Sequence, residues 1–443
     1  MGDLRQEILL FCRQQGVVLS GKTVLCAVSG GRDSMALLHI FLKLGEEQGF
    51  AVAAAHYNHR LRETADRDEA FVRSWCAKNG VPHTVGEGDV AAFARERKTS
   101  VENAARTMRY RFLESAADEM GADFIATAHH ADDNAETVLL HLLRGAGLQG
   151  ICGIPPVRDR IIRPLLGVER KTIDAYIAEN SIPFVEDETN CETVYERNRI
   201  RHRLMPVLEQ MSPGSGARIA AAAARLRLDN AYMERQAEDL LPPAGENGET
   251  AIPRALLKAQ DAAIAARLVR LAARRLGAEL TAAQTDAVLA LRTGAVLSLP
   301  TGIRSAADGK SLHFYRIPSP PPPMMLRMGE QTWGEYRITL WETDGNIGED
   351  KDTAVLSADV GDLTVAAWNG SGRLTVDSGK RTVKRLLSDH GVPVPQQENR
   401  PALFADGILC AVFGAGTDLA FRPPDGGKRK VVTLVKEDNS NDR

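Results

Sequence analysis

The sequence predicts an α/β fold with a Rossmann-like parallel sheet in roughly the first 150 residues, because apolar strands alternate there with helices. The predicted strands are Thr23–Val28, Ala51–His56 and Asp123–Ala128. The predicted helices are Asp33–Lys43, Arg67–Lys78, Val101–Met120 and Asp132–Leu143. Strands rich in Ala and Val that alternate with helices imply a parallel sheet covered on both faces. Ligands of such sheets bind beyond the carboxyl ends of the strands, so functional residues are expected there.

A glycine-containing turn joins the first predicted strand to the first predicted helix. Gly30 and Gly31 let the backbone approach an anion closely, and the following helix N-terminus offers unpaired N–H groups. Hydroxyl groups nearby can donate to phosphate, and Asp33 can hold the magnesium that accompanies a polyphosphate. The turn therefore predicts a loop that binds a polyphosphate, with a tight turn that binds no ligand as the alternative. Its residues are Ser29, Gly30, Gly31, Arg32, Asp33 and Ser34.

A second polar segment, Thr127–Thr137, opens a helix directly after a strand. Asp133 and Glu136 are three residues apart and therefore share a helix face. Together with Asp33 they are candidate ligands for one or two magnesium ions. The alternative is that acidic residues simply favour the first turn of a helix. His129 and His130, in the same segment, either contact nucleotide or substrate or close the end of the strand.

Basic and hydrogen-bonding side chains recur in four further segments and predict contacts with phosphate or RNA. A solvated polar surface is the alternative for each. The candidates are His56, Asn58, His59 and Arg62 after the second strand, Arg106 and Arg109 beside Tyr110 on a helix, Arg197, Asn198 and Arg201 in an arginine-rich stretch, and Arg381, Lys384 and Arg385 on one face of a predicted helix Lys380–Asp389.

Composition describes an ordinary soluble globular protein: the 443 residues are 44% hydrophobic and 26% charged, with a formal net charge of −3. This charge argues against a chain that is basic throughout, but local basic faces still allow a nucleic-acid partner. The six cysteines are scattered without a Cys-x-x-Cys pair, which predicts free thiols in a reducing compartment. With neither a signal peptide nor a membrane span apparent, we expect a cytoplasmic location and no membrane partner.

The pattern predicts three domains, a linker and a tail. The middle domain is expected to be mainly helical, with helices Ala217–Leu240, Pro253–Leu276 and Ala282–Leu291 and a hairpin of Val296–Pro300 with Ser311–Arg316. A proline run forms a stiff linker to a small α+β domain. The predicted limits are 1–212 for the N-terminal domain, 213–317 for the middle domain, 318–323 for the linker, 324–435 for the C-terminal α+β domain and 436–443 for a disordered tail.

The phosphate-binding turn resembles the PP-loop of N-type ATP pyrophosphatases. The ordered set of motifs is similar to the tRNA(Ile)-lysidine synthetase family, and this resemblance extends over nearly the whole chain. The motifs are Ser29–Ser34, His56–Arg62, Glu102 with Arg106 and Arg109-Tyr110, Thr127–Thr137, Arg197–Arg201 and the C-terminal Lys384–Leu387, Val392-Pro393, Arg400-Pro401 and Gly414.

The resemblance implies that ATP adenylates O2 of the wobble cytidine in a CAU-anticodon tRNA(Ile). The ε-amine of L-lysine then attacks C2 and AMP leaves, which changes codon and amino-acid identity from Met to Ile. By the same resemblance Asp33, Asp133, Glu136 and Arg201 are catalytic, with the three carboxylates carrying Mg2+ and Arg201 stabilising the adenylyl group. No protein partner is implied, and both the general base for lysine and a homodimer are left open.

Three other functions compete with this interpretation. A PP-loop enzyme that thiolates tRNA would usually need a persulfide cysteine or a clustered iron–sulfur site, and the cysteine spacing disfavours it. A tRNA-binding protein with a degenerate nucleotide site would not need three carboxylates beside phosphates. A small-molecule amidating ligase fits the loop but gives the basic C-terminal helix no role.

Overall fold

A six-stranded sheet in the order β3-β2-β1-β4-β6-β5 forms the centre of the N-terminal part of the chain. Neighbouring strands are parallel except β5 and β6, which confirms the predicted α/β fold. The strands are β1 (Thr23–Ala27), β2 (Ala51–Asn58), β3 (His83–Glu87), β4 (Phe124–Ala126), β5 (Val157–Arg158) and β6 (Ile161–Ile162). The computed structural model describes residues 3–60, 64–186, 196–245, 248–317 and 319–437.

Helices alternate with these strands and follow them in the chain, and one π-helical turn, Ile200–Leu204, joins two of the helices. The helices are α1 (Leu4–Gln14), α2 (Arg32–Gln48), α3 (Ala65–Lys78), α4 (Val90–Arg97), α5 (Val101–Glu119), α6 (Ala131–Leu143), α7 (Leu148–Ile151), α8 (Arg170–Glu179), α9 (Glu196–Arg199), α10 (Met205–Met211) and α11 (Ser215–Leu240).

Alternation along β1 divides the apolar side chains between two cores. Val24 and Cys26 are buried in a cluster that includes Phe41 of α2, whereas Leu25 is buried in another cluster with Leu113 of α5. Successive side chains of a strand point to opposite faces, so both faces of the sheet are covered. The sheet is therefore fixed from both sides, and the ends of its strands have defined positions.

The chain divides into two compact units, Met1–Tyr232 and Met233–Arg443. The first contains the six-stranded sheet. The five-part division predicted from the sequence, with limits at 212, 317, 323 and 435, stays a prediction. No helix in the described part of the chain is both long enough and apolar enough to cross a lipid bilayer.

The second unit begins with helices and a four-stranded antiparallel sheet in the order β7-β10-β9-β8. Its elements are β7 (Thr250–Pro253), α12 (Arg254–Ala259), α13 (Ala262–Arg275), α14 (Ala282–Leu289), β8 (Val296–Ser298), β9 (Ile303–Ala307) and β10 (Ser311–Arg316). The predicted single helix Pro253–Leu276 is wrong, because Gln260 is extended and Asp261 occupies the N-cap position of a new helix. The predicted hairpin is also wrong, because β9 lies between its two strands and pairs with both.

The remainder of this unit is a mixture of strands and short helices, as predicted. Its sheets have the orders β11-β15-β18-β19-β20, β12-β13-β21-β14 and β16-β17. The elements are β11 (Met324–Met325), β12 (Gly329–Trp333), β13 (Tyr336–Thr343), β14 (Thr353–Ser357), β15 (Leu363–Ala367), β16 (Arg373–Val376), β17 (Gly379–Thr382), α15 (Val383–Asp389), α16 (Val394–Gln397), β18 (Pro401–Ala405), β19 (Ile408–Val412), β20 (Gly416–Thr417) and β21 (Arg429–Lys436).

The common helix face predicted for Arg381, Lys384 and Arg385 is wrong. Arg381 lies on strand β17, where it pairs with Leu374 of β16, and α15 begins only at Val383. Pairing with β16 therefore overrides the helical pattern at Lys380–Thr382. Arg381 and Arg385 nevertheless approach the same carboxylate, Asp389, at 3.1 and 3.9 Å.

A partly buried hydrogen bond within the second unit supports a stability prediction. The Tyr315 hydroxyl donates to Glu398 Oε1 at 3.1 Å, and the same oxygen accepts from Arg304 at 2.9 Å. Because Tyr315 is only 1% exposed, we expect Tyr315→Phe to lower the free energy of unfolding by about 1 kcal/mol in a urea titration. The exposed Tyr232→Phe is the control, and an equally small effect of both changes would contradict the prediction.

Candidate active site

The phosphate-binding turn lies between the end of β1 and the start of α2, at the carboxyl end of the sheet. Ser34 closes the turn: its hydroxyl donates to the Gly31 carbonyl at 2.8 Å and accepts from the Ser29 N–H at 3.1 Å. The Ser29 and Ser34 hydroxyls are also 3.1 Å apart. The predicted loop therefore has a fixed shape, with the N–H groups at the start of α2 directed beyond the sheet.

A distant segment packs on this loop and was not predicted. The Val185 N–H donates to the Gly30 carbonyl at 3.0 Å. A Cβ atom at Gly30 would lie 3.0 Å from Val185 Cγ2, and Gly30 has a φ of +87°. Glycine is therefore required at this position both by backbone conformation and by close packing.

Arg32 extends toward this same segment. Its guanidinium contacts Asp174 at 2.9 Å and Glu186 at 3.8 Å, and it lies 4.7 Å from the centre of the Phe184 ring. Arg32 lines the cavity described next, but both of these carboxylates already compete for its charge. A contact of Arg32 with ATP stays a prediction.

A cavity of about 640 Å³ opens at the carboxyl ends of β1, β2 and β4. This volume is in the range of small-molecule and cofactor sites. Its lining brings together predicted residues from all five N-terminal motifs: Ser29, Gly31, Arg32, Asp33, Ser34, His56, Asn58, His59, Arg106, Arg109, His129, Asp133, Arg197 and Arg201. The described lining does not include Gly30, His130, Glu136 or Asn198. Asn198 lies half-buried on α9, and Arg62 lies outside the described residues.

Two carboxylates and two arginines form one hydrogen-bonded group at this cavity, the acid–arginine cluster: Asp133, Glu136, Arg197 and Arg201. Asp133 Oδ1 accepts from Arg197 at 3.0 Å and from Arg201 at 2.9 Å. Glu136 accepts from Arg201 Nε at 2.6 Å and from Arg197 Nε at 3.1 Å. Each arginine therefore bonds both carboxylates, and the i, i+4 spacing of the arginines at the π-helical turn presents them together.

Charge in the acid–arginine cluster shifts the titration of Asp133. Burial alone would raise the pKa of this carboxyl, but the facing cations outweigh burial and lower the pKa to about 2. Those cations are His130, Arg197 and Arg201. Asp133 is therefore ionised throughout the physiological range.

His130 is buried between carboxylates from two motifs. Its Nε2 lies 3.4 Å from Asp133 and 3.8 Å from Asp33, and its Nδ1 lies 3.5 Å from Asp132. Burial disfavours the charged ring, but the contact with Asp132 and the charges of Asp133 and Asp33 raise the pKa of His130. Since its side chain is only 3% exposed, His130 fits a positioning role between Asp33 and α6 better than the predicted substrate contact.

His129 faces the cavity and has the opposite shift. Burial, followed by the positive charges of Arg109, Arg163 and Arg197 and opposed by the charge of Asp133, lowers the pKa of His129 to about 3. The ring Nδ1 lies 2.9 Å from the Thr127 hydroxyl. A neutral ring is therefore the form present near neutral pH.

This shift predicts a pH dependence of stability. The unfolded chain protonates His129 near pH 6.5, whereas the folded chain does so only near pH 3. The neutral ring therefore contributes stability above about pH 6.5 that is lost as the pH falls toward 3. When the pH is lowered from about 7 to about 5, the free energy of unfolding should fall by about 1 kcal/mol less in His129→Gln than in the wild type. The control is His83→Gln, and equal losses in all three proteins would contradict this assignment.

The residues that follow β2 divide between structural and cavity positions. Asn58 is buried and donates to Asp66 at 3.1 Å and to Glu69 at 3.0 Å, so its amide holds the start of α3. His59 lines the cavity and its ring lies 4.8 Å from that of Tyr57. His56 also lines the cavity, and its Nδ1 lies 2.9 Å from the Val28 carbonyl.

Arginines surround Tyr110 on α5. The guanidinium groups of Arg106, Arg109 and Arg158 lie 5.0, 5.3 and 5.3 Å from the ring centre. Burial would raise the pKa of the phenol, but the charges of Arg109, Arg106 and the buried Arg163 lower it. Sequence reasoning missed Arg158 and Arg163, which reach this surface from the β5–β6 region. The surface is strongly positive and includes an aromatic ring.

Comparison with known proteins decides the family. Residues 4–208 match the PP-loop domain family. A tRNA(Ile)-lysidine synthase of Pseudothermotoga lettingae is 44% identical over 212 residues, which cover 48% of this chain and 47% of that protein. A tRNA(Ile)-lysidine synthase of Petrotoga mobilis is 39% identical over 211 residues, which cover 48% of this chain and 68% of that protein. The chain belongs to the tRNA(Ile)-lysidine synthase family.

This membership confirms the resemblance to the tRNA(Ile)-lysidine synthase family. That the phosphate-binding turn is the ATP site of this chain stays a prediction. The chain spans about half the length of most of the tRNA(Ile)-lysidine synthases that it matches, as the 47% coverage of the Pseudothermotoga protein illustrates. Among solved structures, the U34-tRNA thiolase NcsA of Methanococcus maripaludis is 16% identical and has a TM-score of 0.43, over 50% of this chain and 77% of that chain. That likeness is too weak to assign a function.

The three residues predicted to bind magnesium in this tRNA(Ile)-lysidine synthase family member are not equally suited to that role. Asp33 fits, because its Oδ1 is buried and has no hydrogen-bond partner among the described residues. The oxygens of Asp133 and Glu136 already accept from arginines or from the His130 N–H, so each would have to exchange a partner for the ion. The described residues contain no group of three or more His, Cys, Asp or Glu side chains arranged to hold a metal ion. The three-carboxylate site stays a prediction.

Proposed function

We propose that the chain ligates L-lysine to C2 of the wobble cytidine in a CAU-anticodon tRNA(Ile), using ATP and releasing AMP and pyrophosphate. One observation carries the proposal: the phosphate-binding turn and three members of the acid–arginine cluster, Asp133, Arg197 and Arg201, line one cavity of about 640 Å³. Membership of the tRNA(Ile)-lysidine synthase family supports the same reaction. ATP activation and RNA binding therefore have a common site in the N-terminal unit.

The first chemical step is attack of cytidine O2 on the α-phosphorus of ATP, which breaks the bond to pyrophosphate. The N–H groups at Gly30 and Gly31 would hold the leaving pyrophosphate. Asp33 would hold Mg2+, which when bound neutralises the charge that develops on the phosphates. We assign stabilisation of the adenylyl group to Arg201, whose pKa is raised because Glu136 and Asp133 outweigh burial, so that it stays charged.

The second step is attack of the neutral ε-amine of lysine on C2. The C–N bond forms, the bond from C2 to the adenylated oxygen breaks, and AMP leaves with that oxygen. The ammonium of lysine must lose a proton before it attacks, and the new C–N bond releases another. Asp133 and Glu136 contribute negative charge near the incoming ammonium, while their bonds to Arg197 and Arg201 hold them in place.

We assign the anticodon stem-loop to the positive surface around Tyr110. Arg106 and Arg109 line the main cavity, and the Arg158 guanidinium lies 5.3 Å from the centre of the phenol ring. Phosphates suit arginine forks, and unstacked bases suit aromatic rings. In the second unit, Arg381, Lys384 and Arg385 are assigned to the phosphates of the same tRNA.

A tRNA-thiolating enzyme is the main alternative and receives less support. Cys12, Cys26, Cys76, Cys152 and Cys410 are buried, and among these described cysteines none lines the cavity. Burial also raises the pKa of Cys12 to about 12, which leaves its thiol unreactive. We therefore favour lysine over sulfur as the group transferred, in the cytoplasm where tRNA is available. The proposed assembly is the chain alone or as a homodimer, without another protein.

Pyrophosphate release from radiolabelled ATP tests the reaction. We expect release to require both lysine and the CAU-anticodon transcript, with AMP formed in equal amount and lysidine detected in the digested RNA by mass. The matched control RNA has the wobble cytidine replaced by uridine. Release without RNA would indicate a small-molecule ligase, sulfur in the product would indicate thiolation, and no release would indicate a binding protein. Each of these three outcomes would overturn the proposal.

A further inference from the structure

His56 is a buried histidine whose tautomer is fixed by the backbone. It lies near the carboxyl end of β2 and is 5% exposed. Its Nδ1 is 2.9 Å from the carbonyl oxygen of Val28, at the end of β1. A carbonyl oxygen only accepts hydrogen bonds, so Nδ1 must carry the proton and donate it. The other ring nitrogen, Nε2, is therefore the acceptor of the neutral ring.

The surroundings of that second nitrogen point to a bound ligand. Nε2 is buried and has no hydrogen-bond partner among the described residues, although His56 is one of the residues that line the cavity. Burial lowers the pKa of His56, against weaker opposing contributions from the Val28 bond and the Glu69 and Asp68 charges. A buried acceptor without a partner costs folding free energy, so such a position is expected where a ligand supplies the donor.

The chemistry of ATP restricts which of its atoms can be that donor. The phosphate oxygens are acceptors and cannot donate to an unprotonated nitrogen. Donors occur only in the nucleoside half, at the adenine amine and the two ribose hydroxyls. Asp68, a carboxylate that is 6% exposed and whose Oδ1 accepts from Arg67 at 2.9 Å, also lines the cavity, and its charge acts on His56. This wall of the cavity therefore offers acceptors, whereas the phosphate-binding turn offers donors.

We propose that His56 Nε2 accepts a hydrogen bond from the nucleoside half of the bound nucleotide, at the adenine amine or a ribose hydroxyl, and so determines nucleotide specificity. The proposal rests on the proposed ATP site but on neither lysine nor tRNA. The amine and the hydroxyls share the same donor chemistry. A guanine base would place a carbonyl oxygen where adenine has its amine, and two acceptors would then face each other.

Equilibrium binding to the full chain, without tRNA or lysine, tests this role. The probes are ATP, purine-riboside triphosphate, which lacks the amine, and 2′-deoxy-ATP and 3′-deoxy-ATP, which each lack one hydroxyl. We expect one of the three analogues to bind the wild type about 10-fold more weakly than ATP does. In His56→Ala, ATP should bind as weakly as that same analogue, so that the ratio of their two dissociation constants approaches one. His56→Gln, whose amide oxygen can accept, should recover part of the ratio.

The control is His83→Ala, because the Nδ1 of His83 also lies near a backbone carbonyl, Val81, at 3.2 Å, but His83 is not among the described lining residues. An unchanged ratio in His56→Ala, or a wild type that binds all three analogues as well as ATP, would overturn the proposal. The wild-type comparison needs no variant and stands even where His56→Ala folds poorly. If the analogue effect is present but no lysidine is made, this inference stands and the proposed function fails; the reverse result leaves the function and removes His56.

Discussion

Asp133→Asn is expected to reduce pyrophosphate release by about 100-fold or more while leaving tRNA affinity nearly unchanged. Asp133 Oδ1 accepts from both Arg197 and Arg201, at 3.0 and 2.9 Å, and Oδ2 accepts from the His130 N–H at 3.1 Å. Asparagine has nearly the same shape but no charge, so both guanidinium groups lose an ionic partner. Single-turnover assays with lysine and the CAU-anticodon transcript, together with a tRNA-binding titration, measure the two effects separately.

The matched control for Asp133→Asn is Asp118→Asn. Asp118 pairs with Arg160 at 2.8 Å, but its side chain is 74% exposed, and surface pairs of this kind contribute little. We expect wild-type turnover in this control. Wild-type turnover in Asp133→Asn as well would remove Asp133 from the mechanism, and a parallel loss of tRNA binding would indicate general damage to the fold.

Gly30→Ala is expected to abolish measurable ATP binding and to lower the thermal midpoint of the N-terminal unit. Its φ of +87° is unfavourable for alanine, and the added Cβ would lie 3.0 Å from Val185 Cγ2 and 3.4 Å from Val72 Cγ2. Strain from crowding of this kind typically costs about 1–3 kcal/mol. Calorimetric titration with ATP measures the binding, and differential scanning calorimetry measures the stability.

Two glycine controls separate the causes of the Gly30 effect. Gly49→Ala has a similarly positive φ of +71°, but a Cβ there would meet nothing within 4 Å. Gly31→Ala lies in the same turn with an ordinary φ of −73°, and its Cβ would meet only Ser29 Oγ at 3.4 Å. We expect Gly49→Ala to leave ATP binding intact and Gly31→Ala to leave stability intact. If Gly30→Ala and Gly49→Ala lower the thermal midpoint equally, backbone strain alone, not the contact with Val185, explains the loss of stability.

The local motifs of the active site could be predicted from the sequence because each joins a strand end to a helix start. The phosphate-binding turn and the segment with Asp133 and Glu136 both have this form, and a parallel sheet brings such ends to one edge. The cavity lining contains Asp33, Asp133 and Arg201, as this reasoning requires. Their catalytic roles stay predictions.

Other features depend on contacts between residues far apart in the chain, which sequence pattern does not reveal. Val185 packs on Gly30 from more than a hundred positions away. Arg158 completes the positive surface at Tyr110 from a two-residue strand with little strand pattern of its own. Arg381 has helical neighbours but joins a strand, because pairing with Leu374 outweighs local preference. In each case a tertiary contact decides the outcome.

The acid–arginine cluster has a consequence for the proposed reaction when tRNA and lysine are absent. Arg201 must give up bonds to two acids before it can swing toward a phosphate. We expect this cost to slow the cleavage of ATP until tRNA and lysine have bound. ATP cleavage measured without tRNA and lysine should therefore rise in Glu136→Gln.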